Sequence, residues 1–336
     1  MNGLFLTIAI TFIASLAVCA LVLPRLIKRM NRRGITGKDM NKLSKPKVAE
    51  MGGIAVMLGF AFSSMLAIFV FSYLHVIEIN LTFFLAAIAT VIIVGFLGVI
   101  DDIIGWKDGI RQYQHALIPI FAALPLMAVK VGVTSMAFPF AGEISLGIIY
   151  SLIIIPIGIS GASNAFNMLA GLNGLEAGLG AIVLSTALFI AIASGSIEAA
   201  IILAAMLGAI IAFLKFNWFP AKVFPGDSLT LMMGAALAAA VIIGNMEKIG
   251  IFLVALYFAE LLFKARHRFQ TESFGIPQKD GTLRANPRGG SLTQWVMRRG
   301  KFTEKQVVCI ILGMQLVISG FVIAYFYLNA YSIIRF

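Results

Sequence analysis

The sequence predicts an all-α polytopic membrane protein of about ten transmembrane helices, folded as a single domain over residues 1–336. Three observations predict it. Of 336 residues, 60% are hydrophobic and 12% charged, against about 25% charged in a soluble domain. The apolar residues gather in runs close to the ~20 residues that a helix needs to cross the hydrocarbon. The basic residues gather in alternate loops between those runs.

The ten runs are residues 3–24, 52–74, 82–100, 116–130, 146–162, 177–194, 198–214, 228–244, 248–264 and 307–331. The first, about Leu4 to Leu23, is too long for a signal-peptide core and lacks a basic flank and a clear cleavage site, so it is predicted to be a retained span. Pro24, Pro119, Pro125 and Pro156 fall near run ends or at kinks, which neighbouring helices can accommodate. The fifth to ninth runs are short or closely spaced. Segments 25–47, 101–115, 215–227 and 264–305 hold 23 of the 26 Lys and Arg. Basic loops stay in the cytosol. These four and 163–176 are therefore predicted to be cytosolic, with both termini outside, in a prokaryotic plasma membrane. The long polar loop 264–306, rich in Pro and Gly, is predicted to fold over that face as a lid or substrate-selecting element.

The net charge of +11 follows from this loop bias and predicts no nucleic-acid partner, since no basic, aromatic-interleaved motif accompanies it. Cys19 and Cys309 both lie in apolar runs, which supports neither a disulfide framework nor a zinc site. Glu260, four residues before Lys264, is the only carboxylate well inside a run. Transporters place ionisable groups at mid-membrane, where each is costly, and many show internal repeats. Here the acids lie at the mouths of the helices instead. That pattern weighs against a transporter of an anionic solute and for chemistry at the membrane surface.

Three strings carry the chemistry. Asp101-Asp102 follows the third run, although acids at a helix C-terminus oppose the macrodipole; a metal or a phosphate-bearing partner would account for them, with a solvated helix end as the plain alternative. Asn164 and Asn167 are three apart and share a helical face, and neutral amides offer oxygen to a hard cation. Gly171 and Gly174 bracket Asn173, where backbone can approach a ligand; the plain alternative is a polar turn. Phe224-Pro225-Gly226-Asp227 reads as a turn with Asp227 at an N-cap, and Phe224 could stack on a flat ring. Arg266-His267-Arg268 opens the long loop, and Arg forks bind phosphate.

Together these strings resemble the polyprenyl-phosphate N-acetylhexosamine-1-phosphate transferases, over nearly the whole chain. Residues 164–176 are closest to the branch that moves GlcNAc-1-phosphate from UDP-GlcNAc to dolichyl phosphate. Enzymes of the peptidoglycan branch typically carry Asp-Gly-Leu-Asp-Gly where this chain has Ala170-Gly171-Leu172-Asn173-Gly174. The resemblance implies UDP-GlcNAc and a polyprenyl or dolichyl phosphate as substrates, with Mg²⁺, or Mn²⁺ in its place, as cofactor, and leaves a homodimer open. It implies that Asp227 and Asn167 ligate the metal and that Asn173 binds uracil beside Phe224. It gives Asp101 and Asp102 the lipid phosphate, Arg266, His267 and Arg268 the sugar phosphate, and Lys42, Glu50 and Asn164 places in the site. Where the family usually has a Lys before the fourth span this chain has His115, with Arg111 as the candidate for the missing cation. The alternative within the family is a phospho-MurNAc-pentapeptide transferase or another cell-wall branch.

Overall fold

The computed structural model describes residues 2–75, 77–108, 117, 119–138 and 142–333. The protein is mostly helical. Among the described residues, seven helices are long and apolar enough to cross a membrane: Gly3–Arg33, Gly53–Leu74, Leu81–Ile104, Tyr150–Met168, Leu175–Ala193, Ile197–Asn217 and Glu304–Asn329. In chain order the helices are α1 (Asn2–Arg33), α2 (Gly53–Phe69), α3 (Leu81–Asp108), α4 (Leu124–Ala128), α5 (Ile155–Met168), α6 (Leu175–Ala193), α7 (Ile197–Asn217), α8 (Asp227–Ile243), α9 (Glu247–Leu253), α10 (Ala255–Arg266), α11 (Leu292–Met297) and α12 (Glu304–Ile333). A π-helical turn continues α2 through Val70–Leu74, and another, Tyr150–Ile154, leads into α5.

The seven match seven of the ten expected runs. The eighth run is α8, 17 residues long. The fourth lies partly outside the described residues and contributes α4. The ninth is divided between α9 and α10, because Val254 leaves the helical region at φ −90° and ψ 10°. Its side chains are apolar on both sides of the break, so the hydropathy pattern runs through it unmarked.

The all-α expectation needs one correction. Short strands form in the loops, where the backbone has no helix to satisfy it. β1 (Thr36–Lys38) pairs antiparallel with β2 (Lys47–Ala49), β3 (Ser135–Phe138) with β4 (Gly142–Ser145), and β5 (Ile276–Pro277), β6 (Thr282–Arg284) and β7 (Phe302–Thr303) form a three-stranded sheet in that order.

α8 is the axis of the bundle. Every residue from Ser228 to Ile242 is buried, and α2, α3, α5, α6, α7 and α9 pack on it. A helix apolar all round belongs in a core, and in a membrane small residues let backbones approach. A Cβ on Gly98 of α3 would stand 2.6 Å from the Asp227 carbonyl oxygen, and one on Gly234 of α8 would collide with the Ala162 carbonyl of α5. The periphery is the inverse: Phe5, Ile13 and Leu21 of α1, Phe62 and Phe69 of α2, and Leu316 and Phe321 of α12 are large, apolar and exposed.

The loops fall into two sets. Asn80 N–H donates to Glu198 at 2.6 Å, Val133 N–H to Asn245 at 2.7 Å, and Ser196 Oγ to the Gly244 carbonyl at 3.3 Å. These contacts gather the loops before α3, after α4, between α6 and α7, and between α8 and α9. The loops between α1 and α2, α5 and α6, and α7 and α8, together with the segment after α10, meet around the candidate site.

Candidate active site

The site forms where the start of α8 meets α3. Gly226 precedes the helix at φ 69° and ψ 170°, a region open essentially to glycine alone. The first N–H groups of α8 have no partner within the helix. Asp102 supplies one from α3: its Oδ1 accepts from Asp227 N–H at 2.7 Å and its Oδ2 from Ser228 N–H at 3.2 Å. This corrects the expected N-cap. Asp227 is the first helical residue, the cap comes from Asp102, and Asp227 is among the residues that line the cavity. Asp101 beside it is buried. α3 runs on to Asp108, so both acids sit within the helix and not at its end.

The preceding loop is fastened to the first loop of the chain. Ala49 bridges Val223 in parallel fashion. Phe224 N–H donates to the Ala49 carbonyl at 2.8 Å, and Gly52 and Gly53 N–H donate to the Phe224 and Pro225 carbonyls at 3.0 and 2.9 Å. Asn217 links both to the amide-rich loop: its Nδ2 donates to the Val223 carbonyl at 2.9 Å, and its Oδ1 accepts from Gly174 N–H at 3.1 Å. Gly174 takes φ 81°, and a Cβ there would stand 2.6 Å from the Trp218 ring.

These ties enclose a cavity of about 290 Å³, lined by Glu50, Asn167, Asn173, Phe224 and Asp227 among the expected residues, and by Asp39, Asn41, Glu176, Asn217, Thr230 and Phe274 besides. Thr230 Oγ1 donates to Asn167 Oδ1 at 3.1 Å. Glu176 Oε1 accepts from Gly171 N–H at 2.8 Å, while its buried Oε2 has no hydrogen-bond partner among the described residues. The long loop reaches the cavity through Phe274, held by Asn41: Asn41 Nδ2 donates to the Gly171 carbonyl at 2.7 Å and its Oδ1 accepts from Gly275 N–H at 2.9 Å.

Other expected residues lie apart from the cavity lining. Lys42 stands behind it, paired with Asp39 and with Glu304 at 3.1 Å. Asn164 is turned back on its own helix, Nδ2 donating to the Ser160 carbonyl at 2.8 Å. Arg266 and Arg268 are exposed. His267 packs on Gly290, with Nδ1 3.0 Å from the Phe263 carbonyl, which requires the proton on Nδ1. Arg111 and His115 lie outside the described residues. At this end of α10 the inward cation is Lys264, which donates to the Met168 carbonyl at the end of α5 and lies 3.5 Å from Glu260. Glu260, fully buried, accepts from Leu292 N–H at 2.6 Å and so ties α11 to α10. On the outer side of the loop, Asp280 accepts from the Thr282 hydroxyl and N–H at 2.6 and 3.0 Å, bonds that hold its carboxyl below the usual range.

Comparison with known proteins decides the family. The model of glycosyl transferase family 4 matches residues 83–245. A Sulfolobus acidocaldarius protein is 36% identical over 324 residues, covering 94% of each chain. The chain belongs to glycosyl transferase family 4. The Sulfolobus protein is named as a candidate UDP-N-acetylglucosamine–dolichyl-phosphate N-acetylglucosaminephosphotransferase, as is a Saccharolobus solfataricus protein 37% identical over 87% of this chain and 88% of its own. A Halalkalibacterium halodurans phospho-N-acetylmuramoyl-pentapeptide-transferase is 31% identical over 77% of this chain and 80% of its own. The resemblance read from residues 164–176 and the loop strings is thereby borne out at the level of the family.

In this family 4 chain the donors suit a hard divalent cation. Among the described residues no group of three His, Cys, Asp or Glu could hold a metal alone. Mg²⁺ is commonly held by one or two carboxylates with substrate phosphates completing the shell. Asp227 offers a carboxylate, and Asn167 Oδ1 keeps a lone pair beyond the one Thr230 uses.

Of the lining residues, sequence reasoning gave no role to Asn217, Thr230, Phe274 or Asn41. Asn217 and Thr230 are single polar residues at the ends of apolar helices, a weak signal. Phe274 reaches the cavity only through tertiary contacts of the long loop.

Proposed function

We propose that the protein transfers GlcNAc-1-phosphate from UDP-GlcNAc to a membrane polyprenyl phosphate of dolichyl type, releasing UMP. One observation carries the reading. A single cavity gathers an aromatic ring (Phe224), two amides (Asn167, Asn173) and a carboxylate (Asp227) from two loops and the ends of the helices beside them, a set suited to a base, a diphosphate and a cation together. The names of the Sulfolobus and Saccharolobus relatives agree with it.

Asp227 and Asn167 would hold the Mg²⁺. When bound, the metal neutralises the diphosphate and stabilises the leaving phosphate. An oxygen of the lipid phosphate attacks the β-phosphorus of UDP-GlcNAc, the bond from that phosphorus to the bridging oxygen breaks, and UMP leaves with the electron pair. Phosphoryl transfer asks the protein mainly for positioning and charge. Asn173 and Phe224 orient the base. Asp102 holds the start of α8, and so Asp227, in place. Arg266, His267 and Arg268 would contact the sugar phosphate once the 264–306 loop closes as a lid over the cavity. The lipid phosphate is ionised near neutral pH, so direct attack needs no general base.

In the membrane we propose ten crossings, with both termini outside and the cavity facing the cytoplasm of a prokaryotic cell. α9 and α10 together would make the ninth, since Asn245 lies near the loop after α4 and Lys264 reaches the site end. The cavity end carries most of the basic residues, as a cytosolic face does.

The test is UMP release from UDP-GlcNAc by the detergent-purified protein with a polyprenyl phosphate. Release should require both lipid and Mg²⁺. Release with the muramyl-pentapeptide donor in place of UDP-GlcNAc would move the protein to the cell-wall branch, and no release with any UDP-sugar would refute the transferase reading.

A further inference from the structure

We propose that Glu304 is a positioning residue that sets which face of the Asn173 amide the nucleotide base meets. The proposal rests on the transferase reading above. Glu304 opens α12, at the end of the long loop and far in sequence from Asn173, and is 3% exposed. Its Oε1 accepts from Asn173 N–H at 2.8 Å, and its Oε2 lies 3.1 Å from Lys42 Nζ. Lys42 also pairs with Asp39, and Asp39 Oδ2 accepts from Asn173 Nδ2 at 3.0 Å. Four residues thus close a ring: Asn173 to Glu304, Glu304 to Lys42, Lys42 to Asp39, and Asp39 back to Asn173.

Burying two carboxylates and an ammonium is costly unless each is paired and hydrogen-bonded. Here each is, and the ring spends its bonds on Asn173. Glu304 fixes the Asn173 backbone. Asp39, held by Lys42, fixes the side chain. A carboxylate paired with an ammonium only accepts, so the amide nitrogen of Asn173 must be the atom that faces Asp39. Asn173 Oδ1 is left without a partner among the described residues, in a side chain that lines the cavity. The cavity therefore offers the base an acceptor. That suits a ring N–H donor, as uracil has at N3, and opposes a ring acceptor, as cytosine has there. Without Glu304, Lys42 loses one of its two anions, Asn173 loses its backbone anchor, and the amide can turn over. Lys42 also lies over the Phe219 ring, 4.5 Å from its centroid, so it keeps a resting place outside the ring once released.

The experiment measures UMP and CMP binding to the purified full-length protein by calorimetry, beside donor kinetics, for wild type, E304Q and E304A. Wild type should prefer UMP. A charge-assisted hydrogen bond is worth enough that E304A should lose about 10-fold or more in UMP affinity and raise the donor KM similarly, with kcat within about threefold. CMP should be affected less, so that the preference narrows. E304Q keeps an acceptor for Asn173 N–H and loses the charge facing Lys42; it should fall between the two, and it carries the test if E304A does not fold. Unchanged UMP affinity and preference in folded variants would overturn the proposal, as would a loss confined to kcat or a wild type that binds neither nucleotide. Base binding without turnover would refute the transferase reading and leave the ring to be judged by binding alone.

Discussion

At the scale of single residues, the two acids of α3 and α8 divide the work. Asp102 spends both oxygens on the N–H groups of Asp227 and Ser228, which makes it structural before it is anything else. Asp227→Ala should lower turnover by roughly 1,000-fold, on the scale of losing a metal or oxyanion contact, while the thermal unfolding midpoint in detergent stays near that of wild type. Wild-type-like turnover in that variant would remove the metal assignment. Gly226→Ala should behave differently. The new Cβ would collide with Asp102 Oδ2, in a backbone conformation that other residues avoid. It should cost about 1–3 kcal/mol of stability along with activity, read as a lowered unfolding midpoint and slower UMP release. The sequence showed Asp101-Asp102 and Phe224–Asp227 as motifs. It did not show that one caps the other, because a cap supplied by a different helix leaves no local spacing to read.

At the scale of elements, the start of α11 in the long loop is tied to α10 by a single buried carboxylate among the described residues. Glu260 accepts from Leu292 N–H at the start of α11, and Ser291 Oγ accepts from Gln294 N–H at 3.2 Å. Glu260→Ala removes the only side chain among the described residues that joins α10 to the Leu292 N–H. Limited proteolysis should then cleave within 264–305 several-fold faster than in wild type, and an unchanged cleavage rate would show that the loop is held elsewhere. Gly234→Val tests a different junction. Its Cβ would collide with the Ala162 carbonyl, so α5 and α8 would part and the protein should elute from size exclusion as aggregate or fail to accumulate. The helices themselves were legible, since length and hydropathy mark them. The break at Val254 was not, because both halves of that run are apolar and the turn between them carries no Gly or Pro. The strands β5 to β7 were hidden for the opposite reason: each is two or three residues long, too short for alternation to register.

At the scale of the whole molecule, the loop arithmetic makes a prediction about sides. With Cys309→Ser removing the exposed native thiol, Lys279→Cys and Lys45→Cys should react with a membrane-impermeant maleimide only in inverted vesicles, and Ser194→Cys only in intact cells. Labelling of Ser194→Cys and Lys45→Cys from the same side would sink the alternating arrangement. The basic residues of segments 25–47, 215–227 and 264–305 are legible in the sequence, and parts of these segments meet at the cavity; segment 163–176, which joins them there, carries no Lys or Arg to mark it. The sequence could not foresee that Asn217 and Asn41 would stitch those loops together, since an asparagine in a loop says nothing of its partner until the chain has folded.

The central place of α8 also bears on how the chain is made. α2, α3 and α5 each pack on a helix that leaves the ribosome after all three. Until it arrives, the close-approach glycines at 53 and 98 have no backbone to meet, and Asp102 has no helix end to cap. The faces of α2, α3 and α5 that meet α8 therefore have no partner until it is made, although α1, α2 and α3 already pack on one another in order. The competent cavity is a late product of synthesis, completed only when the last span delivers Glu304. A chain released before that span would lack the Glu304 carboxylate that holds Asn173, and its cavity would stay unassembled.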